Sequence, residues 1–147
     1  MERDRSVGRW LGMLHRYARL RFGKAAAAHD LDDRQFPILM GLYRNEGASQ
    51  DELATHHLLD KATIARAVAR LEKAGYVVRR RDEHDGRIKR VALTPKARRI
   101  EPELRQIRDE WSEVLTEGFS EQEREALLSL LERMAANAER YIERERQ

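Results

Sequence analysis

The chain contains no cysteine. Disulfides, thiol redox sensing, thiolate zinc sites and cysteine nucleophiles are excluded together. Long apolar runs are also missing, and the longest stretches fall far short of the ~20 residues that span a bilayer. Met1 to Arg9 is charged and no uninterrupted apolar segment follows it. Neither a signal peptide nor a membrane partner is therefore expected, and a cytoplasmic location fits. There is no glycine-rich phosphate loop, no H-E-x-x-H pair and no nucleophile elbow, so the chain is not expected to be an enzyme. Histidines are few and badly spaced for a metal. His56 and His57 are neighbours, about 100° apart on a helix, while His15, His29 and His84 stand alone. No metal site and no cofactor are expected. No internal repeat and no low-complexity linker divides the chain.

What is present is charge and amphipathic pattern. Of 147 residues, 41% are hydrophobic, enough for a core, and 37% are charged, which suits long solvated helices. The net charge of +3 is unevenly spread. Residues 49–96 carry eleven Lys and Arg against seven Asp and Glu, whereas residues 97–147 carry nine against thirteen. A basic middle and an acidic tail suit an anionic partner for the middle segment, although solvated faces produce similar biases.

The periodicity predicts a helix over 6–28, with Val7, Trp10, Leu11, Leu14, Tyr17, Ala18, Arg21, Phe22 and Ala25 at spacings of three and four. Asp30 to Asp33 break it. A second helix follows with Phe36, Leu39, Met40 and Tyr43 on one stripe, ending near Gly47. Ser49 and Glu52 form a capping box for a short third helix. After Leu58-Leu59, Asp60 caps a fourth helix over Lys61 to Ala74, with Ile64, Val68 and Leu71 on its inner face. The period then changes to that of extended chain. Strands are expected over 76–81 and 87–93, around a turn-rich tip from Asp82 to Gly86. Pro95 opens a further helix, and Ser120 with Glu123 caps the last. The expected class is mainly α with a small β-hairpin, in the order α-α-α-α-β-β-α-α.

Two short helices joined tightly, followed by a basic hairpin, match a winged helix-turn-helix. Its fourth helix exposes Lys61, Thr63, Arg66 and Arg70, residue types that reach base edges and phosphates in a major groove. Ser49 and Gln50 at the entry of the third helix join these candidates. The hairpin adds Arg79, Arg80, Arg81, Arg87, Lys89 and Arg90, suited to phosphates beside the groove. A long side chain at the tip, such as Arg87, suits a narrow minor groove. The alternative is a winged-helix module that binds protein and no DNA. The excess of positive charge argues against it, and a steep salt dependence separates the two.

Three stretches, Gln50 to Ala54, Asp60 to Arg66 and Leu71 to Val77, resemble the multiple-antibiotic-resistance regulator (MarR) family. So does Asp82 to Arg87 followed by Val91 to Thr94, in which Asp85-Gly86-Arg87 matches the family's D-x-R wing signature. The resemblance runs over essentially the whole chain. It implies a homodimeric transcription factor, usually a repressor, on a pseudo-palindromic double-stranded operator, released by a small, often aromatic and anionic or phenolic, effector. It also implies that Asp85 holds the wing by pairing with an arginine while Arg87 enters the minor groove. Asp85 fits an ordinary turn as well.

Three segments are expected: an N-terminal dimerisation helix (1–31), the winged helix-turn-helix (32–96) and C-terminal dimerisation helices (97–147). The amphipathic terminal helices carry Trp10, Tyr17, Phe22, Trp111, Phe119 and Tyr141. A second copy would cover these and set two recognition helices about 34 Å apart. The resemblance places a ligand pocket between dimerisation helices and wing module. Its candidates are Trp10, Met13, Leu14, Arg16, Tyr17, Phe36, Met40 and Trp111, apolar walls with one arginine for a carboxylate. Each of these side chains also fits a plain core or interface role.

Overall fold

The computed structural model describes residues 5–147. Among the described residues, six helices and one hairpin follow in the expected order. Helix α1 (Val7–Ala27) begins at Ser6, whose hydroxyl accepts the Arg9 N–H. Helix α2 (Gln35–Arg44) is capped from Asp32. Asp32 Oδ1 accepts the N–H groups of Arg34 (2.9 Å) and Gln35 (3.1 Å), and the Gln35 side chain accepts the Asp32 N–H at 2.8 Å. These bonds satisfy donors that a helix start leaves orphaned. Pro37 sits where a missing N–H costs nothing.

Helix α3 (Gln50–His57) opens with the expected Ser49–Glu52 capping box and closes at Leu58, which is left-handed at φ 53°. Helix α4 (Lys61–Lys73) is capped by Asp60. Strands β1 (Val77–Arg81) and β2 (Lys89–Leu93) pair antiparallel from Val77↔Leu93 to Arg81↔Lys89. They are shorter than the sequence pattern predicts. Tyr76 is drawn into the core, and the Ile88 N–H folds back onto the Asp85 carbonyl, so the tip runs through Ile88 and the returning strand starts only at Lys89. The segment before α3 adds a short third edge: Gly47 donates to Val91, and Val91 donates to Ala48, each at 3.0 Å. Helices α5 (Pro95–Leu115) and α6 (Glu121–Glu145) complete the chain.

By packing the chain forms two compact units, one running to Asp109 and the other Glu110–Gln147. The first holds the core: Ile38, Leu39, Leu42, Ile64, Val68, Leu71, Tyr76, Val77, Val91 and Leu104 are all essentially inaccessible. The expected inner face of α4 is this core's centre, and each such side chain contributes roughly 1.5–3 kcal/mol on burial. Helix α1 joins through Ala26 and through Phe22, which stacks on Phe36 with centroids 4.6 Å apart. Tyr76 fastens the end of α1, its hydroxyl donating to the His29 carbonyl at 2.7 Å. Tyr43 does the same for α5, donating to the Ala97 carbonyl at 2.6 Å. Among the described residues no helix is long and apolar enough to cross a membrane.

In the second unit, Arg124 reaches back to Glu113 with two bonds of 2.8 and 3.0 Å, and Ser120 and Glu123 form the expected capping box. Helix α6 has no buried residue.

Candidate nucleic-acid interface

Helices α3 and α4 are joined by three residues, Leu58 to Asp60. This tight connection presents the start of α4 at the surface. Asp60 accepts both the Thr63 N–H (2.8 Å) and the Thr63 hydroxyl (2.6 Å). These bonds hold the Asp60 carboxyl below its usual range, the Thr63 side chain being the largest cause. Thr63, Arg66 and Arg70 follow at spacings of three and four, so they line one stripe of the helix. Arg66 leans on the Thr63 hydroxyl at 3.3 Å, and Lys61 lies 3.4 Å from Asp51 with both side chains exposed. Arg70 is 70% exposed, yet its guanidinium donates to Asp32 at 2.8 Å.

The hairpin cations divide into braces and free ends. Arg79 is a brace: its guanidinium donates to Glu72 at 2.9 Å, and its N–H donates to the same carboxylate at 3.1 Å. Glu72 is held below its ordinary value by these bonds. Arg90 is the second brace. It donates to Asp82 at 2.5 Å and to the Gly47 carbonyl at 3.1 Å, and lies 3.6 Å from Glu52. Asp82 is the pivot of the tip, because its other oxygen accepts the N–H groups of His84 and Asp85. With Arg90 as the main cause, its carboxyl is pushed down to about 2. Arg80, Arg81 and Lys89 are exposed. Among the described residues none of these three has an ion-pair partner.

Arg87 is 92% exposed at the very tip. It pairs with Asp85 at 3.1 and 3.2 Å, which also accepts the Arg87 N–H at 3.0 Å. Asp85 therefore pairs with its own neighbour in the D-x-R unit, while Asp82 ties the tip to the sheet.

Three of the sequence-derived contact candidates are thus occupied inside the fold: Arg79, Arg90 and Ser49. Ser49 is 7% exposed, and its hydroxyl is spent on the Glu52 N–H. The side-chain oxygen of Gln50, beside it, is buried. Lys61, Thr63, Arg66, Arg70, Arg81, Arg87 and Lys89 remain at the surface. Asp82, Glu72 and Asp32 are not singled out by the sequence pattern. Asp82 alone leaves a signal, since Asp two residues before a turn N–H is the ordinary Asx-turn pattern.

The pocket candidates fall into separate settings. Trp10, Leu14 and Tyr17 lie half-exposed on α1, with Met13 half-buried and Arg16 exposed. Arg16 lines a shallow cleft of about 530 Å³ with Arg19, Leu20, Gly23, Lys24 and Asp33. Phe36 and Met40 belong to the core of the first unit, and Trp111 is half-buried in the second. Among the described residues, no three His, Asp or Glu side chains gather as a metal site.

Known proteins carry the same fold and pattern. Residues 29–88 match the model of the MarR family. The chain is 35% identical to the HTH-type transcriptional regulator YybA of Bacillus subtilis, over 76% of this chain and 74% of that one. A MarR transcriptional regulator from Methanosarcina mazei is 38% identical and superimposes with a TM-score of 0.89, over 92% of this chain and 97% of that one. BpsR of Bordetella bronchiseptica, 23% identical, shares the fold with a TM-score of 0.78 over 92% and 96%. The chain belongs to the MarR family, and is a DNA-binding winged helix-turn-helix transcriptional regulator and not an enzyme.

Proposed function

We propose that this chain works as a homodimeric repressor. In this reading it holds a pseudo-palindromic operator through α4 and the hairpin tip, and a small aromatic anion releases it. The observation that carries the reading is the exposed cationic rim: Lys61 and Arg66 on one helix, with Arg80, Arg81, Arg87 and Lys89 on the hairpin. A helix of this size enters a major groove, and the hairpin reaches the flanking backbone. Arg66 is the base reader in this scheme, and Arg87 the minor-groove probe.

Dimerisation is supported by apolar surface. Val7, Trp10, Leu11, Leu14, Tyr17 and Leu20 are 40–72% exposed along α1. In the second unit Val114, Leu115, Phe119, Leu128, Leu130, Leu131, Tyr141 and Ile142 are 40–61% exposed. Faces this apolar are unusual on a monomer and suit a self-complementary partner. Release by an aromatic acid is supported by BpsR, whose DNA binding is regulated by 6-hydroxynicotinic acid. On α1 the guanidinium of Arg9 lies 5.6 Å over the Trp10 ring, and Arg16 precedes Tyr17 in the sequence.

A titration tests the scheme. The probes are a duplex from upstream of the protein's own gene and a scrambled duplex, each with and without salicylate. The expected result is binding by two chains, preference for the upstream duplex, and release by salicylate. Arg66→Ala should lose most of the preference and little of the non-specific binding. Equal losses on both duplexes would make Arg66 a phosphate contact. Binding untouched by aromatic acids would exclude the effector.

A further inference from the structure

We propose that Asp32 is a built-in brake on DNA binding, acting by holding Arg70 away from phosphate. The inference rests on reading α4 as the DNA-facing helix. Arg70 belongs to the same stripe as Thr63 and Arg66 and is 70% exposed, as a phosphate contact must be. Its guanidinium is nevertheless engaged across 38 residues of sequence by the Asp32 carboxylate, at 2.8 Å.

The two oxygens of Asp32 have separate tasks. Oδ1 caps α2 through the N–H groups of Arg34 and Gln35. Oδ2 faces Arg70. The cap fixes Asp32 in place, so the carboxylate is presented to α4 without the entropy cost of ordering a free side chain. Arg70 borders two hollows. Asp32 lines both; the first adds Arg34, Thr63 and Arg66, so cations predominate there. The other is lined by Asp30, Asp32 and Lys73. A phosphate approaching the first hollow meets Arg34 and Arg66 directly, but must compete with Asp32 for Arg70.

The consequence is selective. An exposed ion pair is weak, so a well-placed phosphate in a cognate complex can displace it. A loosely held, non-cognate duplex gains little from Arg70. Asp32 then lowers non-specific affinity more than specific affinity and raises the ratio between them.

Asp32→Asn separates the two tasks. The amide oxygen retains the cap, as Asn caps about as well as Asp, while the amide nitrogen presents a donor to a donor and releases Arg70. Fluorescence anisotropy with a labelled mixed-sequence duplex of about three helical turns, over a range of KCl, reads the effect. Asp32→Asn should bind this duplex about fivefold more tightly. Its log–log salt slope should steepen by about 0.9 for each phosphate gained. Arg70→Ala should cost little in the wild-type background and abolish the gain in the Asp32→Asn background. Thermal melting confirms that the variants fold.

An unchanged affinity and slope for folded Asp32→Asn would overturn the brake. So would a gain that persists without Arg70, because Asp32 would then act as bulk charge. A large loss for Arg70→Ala alone would show Arg70 already free for DNA, and would overturn the brake as well. No binding by the wild type at low salt would sink the DNA-facing reading of α4 itself, and the brake with it.

Discussion

Removing the guanidinium at the hairpin tip isolates the wing's share of binding. Arg87 is 92% exposed, and its side chain bonds only to its neighbour Asp85 among the described contacts. The backbone of the tip is held independently. Asp85 accepts the Arg87 N–H, Asp82 accepts two more, and Ile88 donates to the Asp85 carbonyl. Arg87→Ala therefore leaves the tip folded and the melting temperature essentially unchanged. For a dimer the variant loses two cations, which flattens the log–log salt slope by about 1.8 units. Between about 50 and about 200 mM salt, the wild-type advantage should shrink roughly tenfold.

A second effect adds to the first. Arg87 holds the Asp85 carboxyl below its usual range. Its removal leaves that carboxylate ionised and uncompensated at the tip, where it repels phosphate. Asp85→Asn combined with Arg87→Ala should recover part of the affinity but none of the slope. The assay is anisotropy titration at several salt concentrations. A wild-type slope in Arg87→Ala would refute the wing contact.

Three further outcomes are expected. Asp82 titrates at about 2 in the folded chain against a reference of 3.8, so its clamp is complete above about pH 4 and is lost as pH falls through about 2. The amide resonances of His84 and Asp85 should follow that midpoint, and a midpoint near 3.8 would show the clamp to be absent. Tyr76→Phe keeps the buried ring but strips the His29 carbonyl of its donor, which should cost about 1–2 kcal/mol and lower the melting temperature by several degrees; an unchanged melt would contradict this. Leu58 is 85% exposed at a left-handed φ of 53°. Leu58→Asn should stabilise the chain by about 0.5–1 kcal/mol by relieving that conformation, and a lower melting temperature would mean the side chain is covered in the working assembly.

Local patterns made the fold legible. The spacing of Ile64, Val68 and Leu71 marks the buried face of α4, and the Ser49–Glu52 and Ser120–Glu123 boxes mark two helix starts. The D-x-R unit marks the tip. Each of these signals lies within a few residues of chain. Long-range pairings were not legible, and they decide which cations are available. Arg79 and Arg90 count as basic wing residues in the sequence, yet Glu72 and Asp82 occupy them in the fold. Arg70 meets Asp32 only because α2 packs on α4. Strand ends were blurred for the same reason: Tyr76 has β propensity, but the core takes its ring and the turn after α1 takes its hydroxyl.

Whether the exposed cations of α4 and the hairpin hold DNA is decided by the salt dependence of wild-type binding to a single duplex, with the number of bound chains measured by sedimentation. Two chains per site are expected, with a log–log slope of several units set by Lys61, Arg80, Arg81, Arg87 and Lys89 from each protomer. A slope near zero, or binding by a monomer, would contradict that role for these side chains.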